Sequence, residues 1–136
     1  MIEFEIDRAK WATGSSGYAC DNHLLNDDGT MCCLGFFCNR VAKIKKDELL
    51  NVYDPKLLPE DLIENKKALK GLVEKREWYH NSKRFDNTDI CNALLNTNDD
   101  VSLNNKEREK AIAGLFKELG YKVKFVGRYA KLKGIT

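Results

Sequence analysis

Arginine and aromatic residues occur together at three places along this 136-residue chain. The three groups are Arg8 with Trp11, Trp78-Tyr79 with Arg84, and Arg128 with Tyr129. Aromatic rings can stack on nucleobases, and guanidinium groups bind phosphates through paired hydrogen bonds. The groups therefore favour a nucleotide-type ligand, although neither common glycine-rich phosphate motif is present in the sequence. For each group taken alone, a core ring with a solvated basic residue at its rim is the more common arrangement.

Five cysteines offer metal-binding or nucleophilic chemistry, and four of them cluster in sequence with a histidine. This set is Cys20, His23, Cys32, Cys33 and Cys38, with Cys91 further along the chain. Structural zinc sites usually pair their thiolates as C-x-x-C, a spacing that the cluster lacks. We therefore expect buried structural cysteines, with no metal and no other cofactor. A nucleophilic pair of Cys20 and His23 is the alternative that would make the protein a hydrolase.

Two pairs of adjacent carboxylates could hold a cation or share acid–base work. They are Asp27-Asp28 and Asp99-Asp100. Asp and Asn also stabilise turns through local hydrogen bonds, and this is the favoured interpretation of both pairs. A small hydrolase using Asp99 and Asp100 stays open as a second alternative.

Composition and charge indicate a small globular protein. The chain is 43% hydrophobic and 32% charged, with a net charge of +2, and this length favours one domain over residues 1–136. The positive excess lies in the last twenty residues, which hold six basic residues and one acid, and residues 128–136 are expected to form a basic, mobile tail. We expect no sequence-specific DNA binding, because that function usually needs a larger basic imbalance. Without a secretory signal, an apolar span of membrane length or an even cysteine count, the expected location is the cytoplasm.

Local patterns predict a mixture of strands and helices. Residues 3–6 and 121–126 alternate as strands, and Asp28-Gly29 predicts a hairpin turn. Residues 32–42 form a mostly apolar segment that suits a buried helix, in which Gly35 would be tolerated if a neighbouring backbone must approach closely. Residues 104–119 predict the clearest helix, with an Asn104–Glu107 capping box and Gly120 after its end. The predicted fold is α+β, a small and mostly antiparallel sheet with helices packed on one face.

The order of several short motifs resembles a family of small proteins from tailed phages and prophages. Residues 11–14 read WATG, residues 29–36 read GTMCCLGF and residues 96–100 read NTNDD. The closing helix and strand also match, at Arg108-Glu109, Leu115-Phe116, Gly120 and residues 123–126. The resemblance covers about residues 4–127, with 45–87 poorly matched, and no catalytic residues carry over from it. It implies a phage protein acting in the bacterial cytoplasm, of a size typical of counter-defence factors.

Together these observations predict a binding protein rather than an enzyme. The leading hypothesis is a phage protein that counteracts bacterial defence by sequestering a small nucleotide signal, in a pocket between the protomers of a homo-oligomer. The candidate ligand-binding residues are Arg8, Trp11, Arg84, Asn98, Asp99 and Arg128. The alternative is a protein–protein inhibitor of a host defence effector, with an exposed apolar patch around Trp78-Tyr79.

Overall fold

The computed structural model describes residues 1–14, 23–74 and 90–130. In chain order the regular elements are β1 (Ile2–Asp7), α1 (Cys33–Arg40), α2 (Lys46–Leu49), α3 (Glu60–Asn65), α4 (Lys67–Glu74), α5 (Ile90–Asp99), α6 (Asn105–Glu118) and β2 (Tyr121–Val126). Short 3-10 turns lie at Arg8–Lys10 and Pro55–Leu57. The predicted sites at Cys20, Trp78-Tyr79 and Arg84, and tail residues 131–136, lie outside the described residues.

The sheet corrects the predicted fold, because its two strands are parallel. β1 pairs with β2 from Ile2↔Tyr121 to Asp7↔Val126, and no antiparallel pairing occurs among the described residues. Parallel neighbours need a crossover connection, and here the whole helical part of the chain lies between them. α6 spans about 21 Å and packs on β2, so it returns the chain to the end at which β1 also begins.

Alternation along both strands gives the sheet one buried and one exposed face. Phe4 and Ile6 are buried, whereas Glu3 and Glu5 are exposed opposite Lys122 and Lys124. Glu3 Oε2 lies 3.6 Å from Lys122 Nζ. Facing opposite charges support this register, although each exposed pair contributes little stability on its own.

The predicted buried helix is confirmed as α1, which packs on β1 and α5. All residues from Cys33 to Cys38 are buried. The Phe37 ring packs against Phe116 of α6 at 5.5 Å between centroids and against Tyr121 at 5.0 Å. The expected close approach at Gly35 is present, since a Cβ built there would lie 1.8 Å from the Leu24 carbonyl oxygen.

The Asp28-Gly29 signal marks a turn but not a hairpin. Asn26 N–H donates to Thr30 O at 2.8 Å, and Gly29 has the positive φ of 88° that glycine favours. The flanking residues do not pair with each other as strands. Leu25 bridges Leu50, and Met31 bridges Trp11.

The capping signals at α6 are confirmed. The Asn104 side chain accepts from Glu107 N–H, the Glu107 carboxylate accepts from Asn104 N–H, and Gly120 follows the helix with φ of 95°. Among the described residues, no helix is long and apolar enough to cross a membrane.

Candidate functional site

An open cleft lies where the first turns of α6 meet the chain segments that follow β1 and β2. Its volume is about 520 Å³, within the range of small-molecule sites. Its lining residues are Arg8, Asn105, Lys106, Glu109, Gly127, Arg128 and Tyr129. The cleft therefore brings together two of the predicted ligand-binding residues, Arg8 and Arg128.

Arg8 is fixed at the cleft by a paired interaction with α6. Its Nε and Nη2 each donate to a Glu109 carboxylate oxygen at 2.8 Å, and Nη1 donates to Gly127 O at 3.1 Å. The Tyr129 hydroxyl donates to the same carboxylate. Two side chains and one carbonyl thus hold the guanidinium in a single orientation.

This network is partly buried, and it shifts the pKa values of its members. The hydrogen bonds from Arg8 hold the pKa of Glu109 below its usual value, and the Glu109 carboxylate raises the pKa of Arg8. Burial, with the hydrogen bond to Glu109, raises the pKa of the Tyr129 hydroxyl well above its usual value. The pair is therefore charged and Tyr129 neutral at physiological pH.

Removing the Glu109 charge should lower stability only where that charge exists. Because the folded pKa of Glu109 lies below its ordinary value of 4.5, its stabilising effect is present above about pH 4.5 and is lost as pH falls through the folded pKa. We expect the melting temperature of Glu109→Gln to be lower than that of the wild type at neutral pH, and the difference to disappear in acid. Thermal melts across this range check this, with Glu64→Gln, from an exposed pair with Lys70, as a near-silent control. A difference in melting temperature that does not change with pH would contradict a stabilising role of the Glu109 charge.

Lys106 and Arg128 are the uncompensated cations of the cleft. Across the described ranges, neither side chain has a carboxylate within ion-pairing distance or a hydrogen-bonding partner. With Arg8 balanced by Glu109, the lining carries a net charge of +2. A cleft with this charge attracts anions.

The aromatic residues near the cleft pack against one another. Trp11 lies 5.2 Å from Phe125 and 6.2 Å from Tyr129 between ring centroids. The Arg8 guanidinium lies 5.9 Å and 5.8 Å from the same two rings. Trp11 is only 4% exposed, so its ring supports the Arg8 side of the cleft and does not face a ligand.

Asn98 is a buried hydrogen-bonding centre and does not line the cleft. Its Oδ1 accepts from Trp11 Nε1 at 2.7 Å and from Cys33 N–H at 2.9 Å, while Nδ2 donates to Ala12 O at 2.8 Å. The backbone carbonyl of Asn98 accepts from Gly14 N–H. Asn98 therefore links the segment after β1 to α1 and α5, and its role is structural.

The adjacent carboxylates have local partners. Asp99 accepts from Asn98 Nδ2 at 3.0 Å, and Asp100 accepts from both Ser102 N–H and Ser102 Oγ. The buried Arg108 donates to Asp100 O and Leu103 O and fixes the loop between α5 and α6. The bonds between Asp100 and Ser102 are typical of a turn, which is the interpretation favoured from the sequence.

The described cysteines are buried thiols. Burial raises the pKa of Cys32 to about 12 and raises those of Cys33 and Cys38 well above the usual value of a thiol, so their thiolates are strongly disfavoured. His23 interacts locally, with Nδ1 3.1 Å from Asn26 Oδ1. In the part of the chain that the structure describes, no three His, Cys, Asp or Glu side chains are grouped to hold a metal.

Sequence reasoning did not name Lys106, Glu109 or Asn105 as ligand-binding residues. Lys106 and Glu109 are three residues apart at the start of the predicted helix, so they share a helix face. This three-residue spacing is the feature of the sequence that could have indicated that Lys106 and Glu109 belong to one site. The pairing of Arg8 with Glu109, 101 residues apart, had no local signal.

Comparisons with protein-family models, curated proteins and solved structures give no match to this chain.

Proposed function

We propose that this protein is a non-enzymatic binding protein that holds a small nucleotide-type anion in the cleft beside α6. The observation that carries the proposal is a pair of cations, Lys106 and Arg128, that have no carboxylate partner among the described residues and lie on a wall fixed by Arg8 and Glu109. Of the carboxylates in the hydrolase alternative, Asp100 binds Ser102 within a turn and Asp99 accepts from the Asn98 side chain. The cations of the cleft therefore favour a binding function over hydrolysis.

The proposed setting is a phage counter-defence factor that sequesters a nucleotide immune signal. It rests on the resemblance to small phage proteins. The motifs that carry the resemblance meet around Asn98, which contacts Trp11, Gly14 and Cys33. Because the cleft is open, a second copy of the chain covering it would complete a pocket between protomers.

Substituting the cleft cations should remove binding without unfolding the protein. Calorimetric titration with adenosine 5′-monophosphate (AMP) is expected to show at least a roughly 10-fold loss of affinity in Arg128→Ala. The melting temperature should stay unchanged, because Arg128 is exposed. Arg84→Ala tests the remaining predicted arginine in the same assay, and the exposed Arg40→Ala is the matched control. Wild-type affinity in Arg128→Ala, or no nucleotide binding at all, would refute the proposal.

A protein–protein inhibitor is the second candidate, favoured by exposed apolar side chains. Leu50, Tyr53 and Leu57 lie within eight residues of one another and are 44%, 57% and 57% exposed. Closely spaced apolar side chains of this kind mark many protein-binding surfaces. The patch predicted at Trp78-Tyr79 lies outside the described residues.

A further inference from the structure

We infer that the cleft selects a terminal phosphate group, with two negative charges, over a phosphodiester with one. This inference rests on the proposed function and deepens it by naming the ligand class. It follows from the balance of charge on the cleft wall and from the way that charge is distributed.

The distribution separates a neutral part from a positive part. Arg8 and Glu109 neutralise each other through two 2.8 Å hydrogen bonds, so Arg8 offers directional N–H groups but little net charge. Lys106 on α6 and Arg128 after β2 approach the cleft from different elements. A terminal phosphate carries two negative charges, so it can balance both cations through its oxygens. A diester carries one negative charge and can balance only one of them.

Glu109 also limits the negative charge that the cleft can accept. Its side chain is 19% exposed at the wall, and its charge cancels that of Arg8, so only the charges of Lys106 and Arg128 are left for a ligand to balance. Asp7, whose Oδ1 accepts from Ala9 N–H, lies beside Gly127 at the edge and acts in the same direction. A dianion is therefore the best complement to the lining charge of +2.

The charge of the cleft should stay constant between about pH 5.5 and 7.5, the range in which a phosphomonoester loses its second proton (second pKa about 6). The lining contains no histidine, the pKa of Arg8 is raised by Glu109, the pKa of Glu109 is lowered and that of Tyr129 is raised. Any change in affinity across this range then reports the protonation of the ligand.

The test compares AMP with adenosine 3′,5′-cyclic monophosphate, which shares the base but has a diester. At about pH 7.5 we expect AMP to bind at least ~10-fold more tightly, and its affinity to fall about 4-fold by pH 5.5 as the dianion is protonated. The cyclic nucleotide should show no such pH dependence. Inorganic phosphate at millimolar concentration should compete with AMP, since recognition is centred on the phosphate.

Variants connect the preference to the two cations. Lys106→Ala should reduce the preference for AMP over the cyclic nucleotide to within about 3-fold, whereas Lys110→Ala, one turn along α6 and outside the cleft lining, should keep it. Equal binding of both nucleotides, lost in Arg128→Ala, would overturn the phosphomonoester inference and leave the proposed function standing. Binding of neither nucleotide would overturn both, and failure of inorganic phosphate to compete would overturn the inference alone.

Discussion

Gly35→Ala is expected to lower the free energy of unfolding by about 3 kcal/mol or more. The added Cβ would lie 1.8 Å from the Leu24 carbonyl oxygen and 2.8 Å from its carbonyl carbon. Both are backbone atoms, so relief requires α1 to move away from the segment at Leu24. That movement would open the core around Cys33–Cys38, where every residue is buried. Chemical denaturation monitored by circular dichroism measures the change.

The matched control is Gly114→Ala, within α6. A Cβ at Gly114 meets nothing within 4 Å, so only helix propensity changes, and alanine should stabilise by up to about 1 kcal/mol. The same substitution in two helices should thus have opposite signs. A Gly35→Ala protein as stable as wild type would show that α1 and the Leu24 segment are not packed as described.

Asn98→Ala is expected to cost about 4 kcal/mol, because it leaves three buried polar groups without their partner. These are Trp11 Nε1–H, Cys33 N–H and the Ala12 carbonyl. Cys33 N–H is the first amide of α1, and the Cys32 N-cap side chain supplies no capping hydrogen bond. The Asn98 side chain therefore caps α1 from α5.

Asn98→Asp separates the acceptor role of the Asn98 side chain from its donor role. A carboxylate can still accept from Trp11 and Cys33, but it cannot donate to Ala12 O and it adds a buried charge. Both variants should be clearly destabilised in denaturation experiments. Asn65→Ala, at an exposed site at the end of α3, should change stability by less than about 0.5 kcal/mol. An Asn98→Ala protein within that same margin would contradict the structural role.

Features determined by neighbouring residues were predictable from the sequence. The Asn104–Glu107 capping box and the glycine after α6 involve residues within one turn of the chain. The buried α1 was indicated by its mostly apolar composition, and the close approach at Gly35 by the cost of glycine in a helix. In each case the physical cause lies within a short window of sequence.

The direction of the sheet was not predictable in the same way. Alternation along residues 3–6 and 121–126 shows which side chains share a face but not which way the strands run. An antiparallel pairing could also place Glu3 and Glu5 opposite lysines. The direction follows from α6, which returns the chain before β2 begins. The hairpin predicted at Asp28-Gly29 was wrong because the residues that flank this turn bridge Trp11 and Leu50 instead of each other.

The candidate site was predicted in part. Arg8 and Arg128 line the cleft, but Trp11 and Asn98 bond to each other in the core. Residue type alone could not separate these roles, since a tryptophan and an asparagine suit a ligand site and a buried hydrogen bond equally well. The deciding contact spans 87 residues, beyond any local pattern.

The most direct test of the central claim is calorimetric titration of AMP into the wild-type protein and into a Lys106→Ala/Arg128→Ala double variant. Both positions are outside the core, so the double variant should keep the wild-type melting temperature. We expect saturable binding of AMP to the wild type and no binding to the double variant. Equal binding to both proteins, or none to the wild type, would contradict a nucleotide-type site at this cleft.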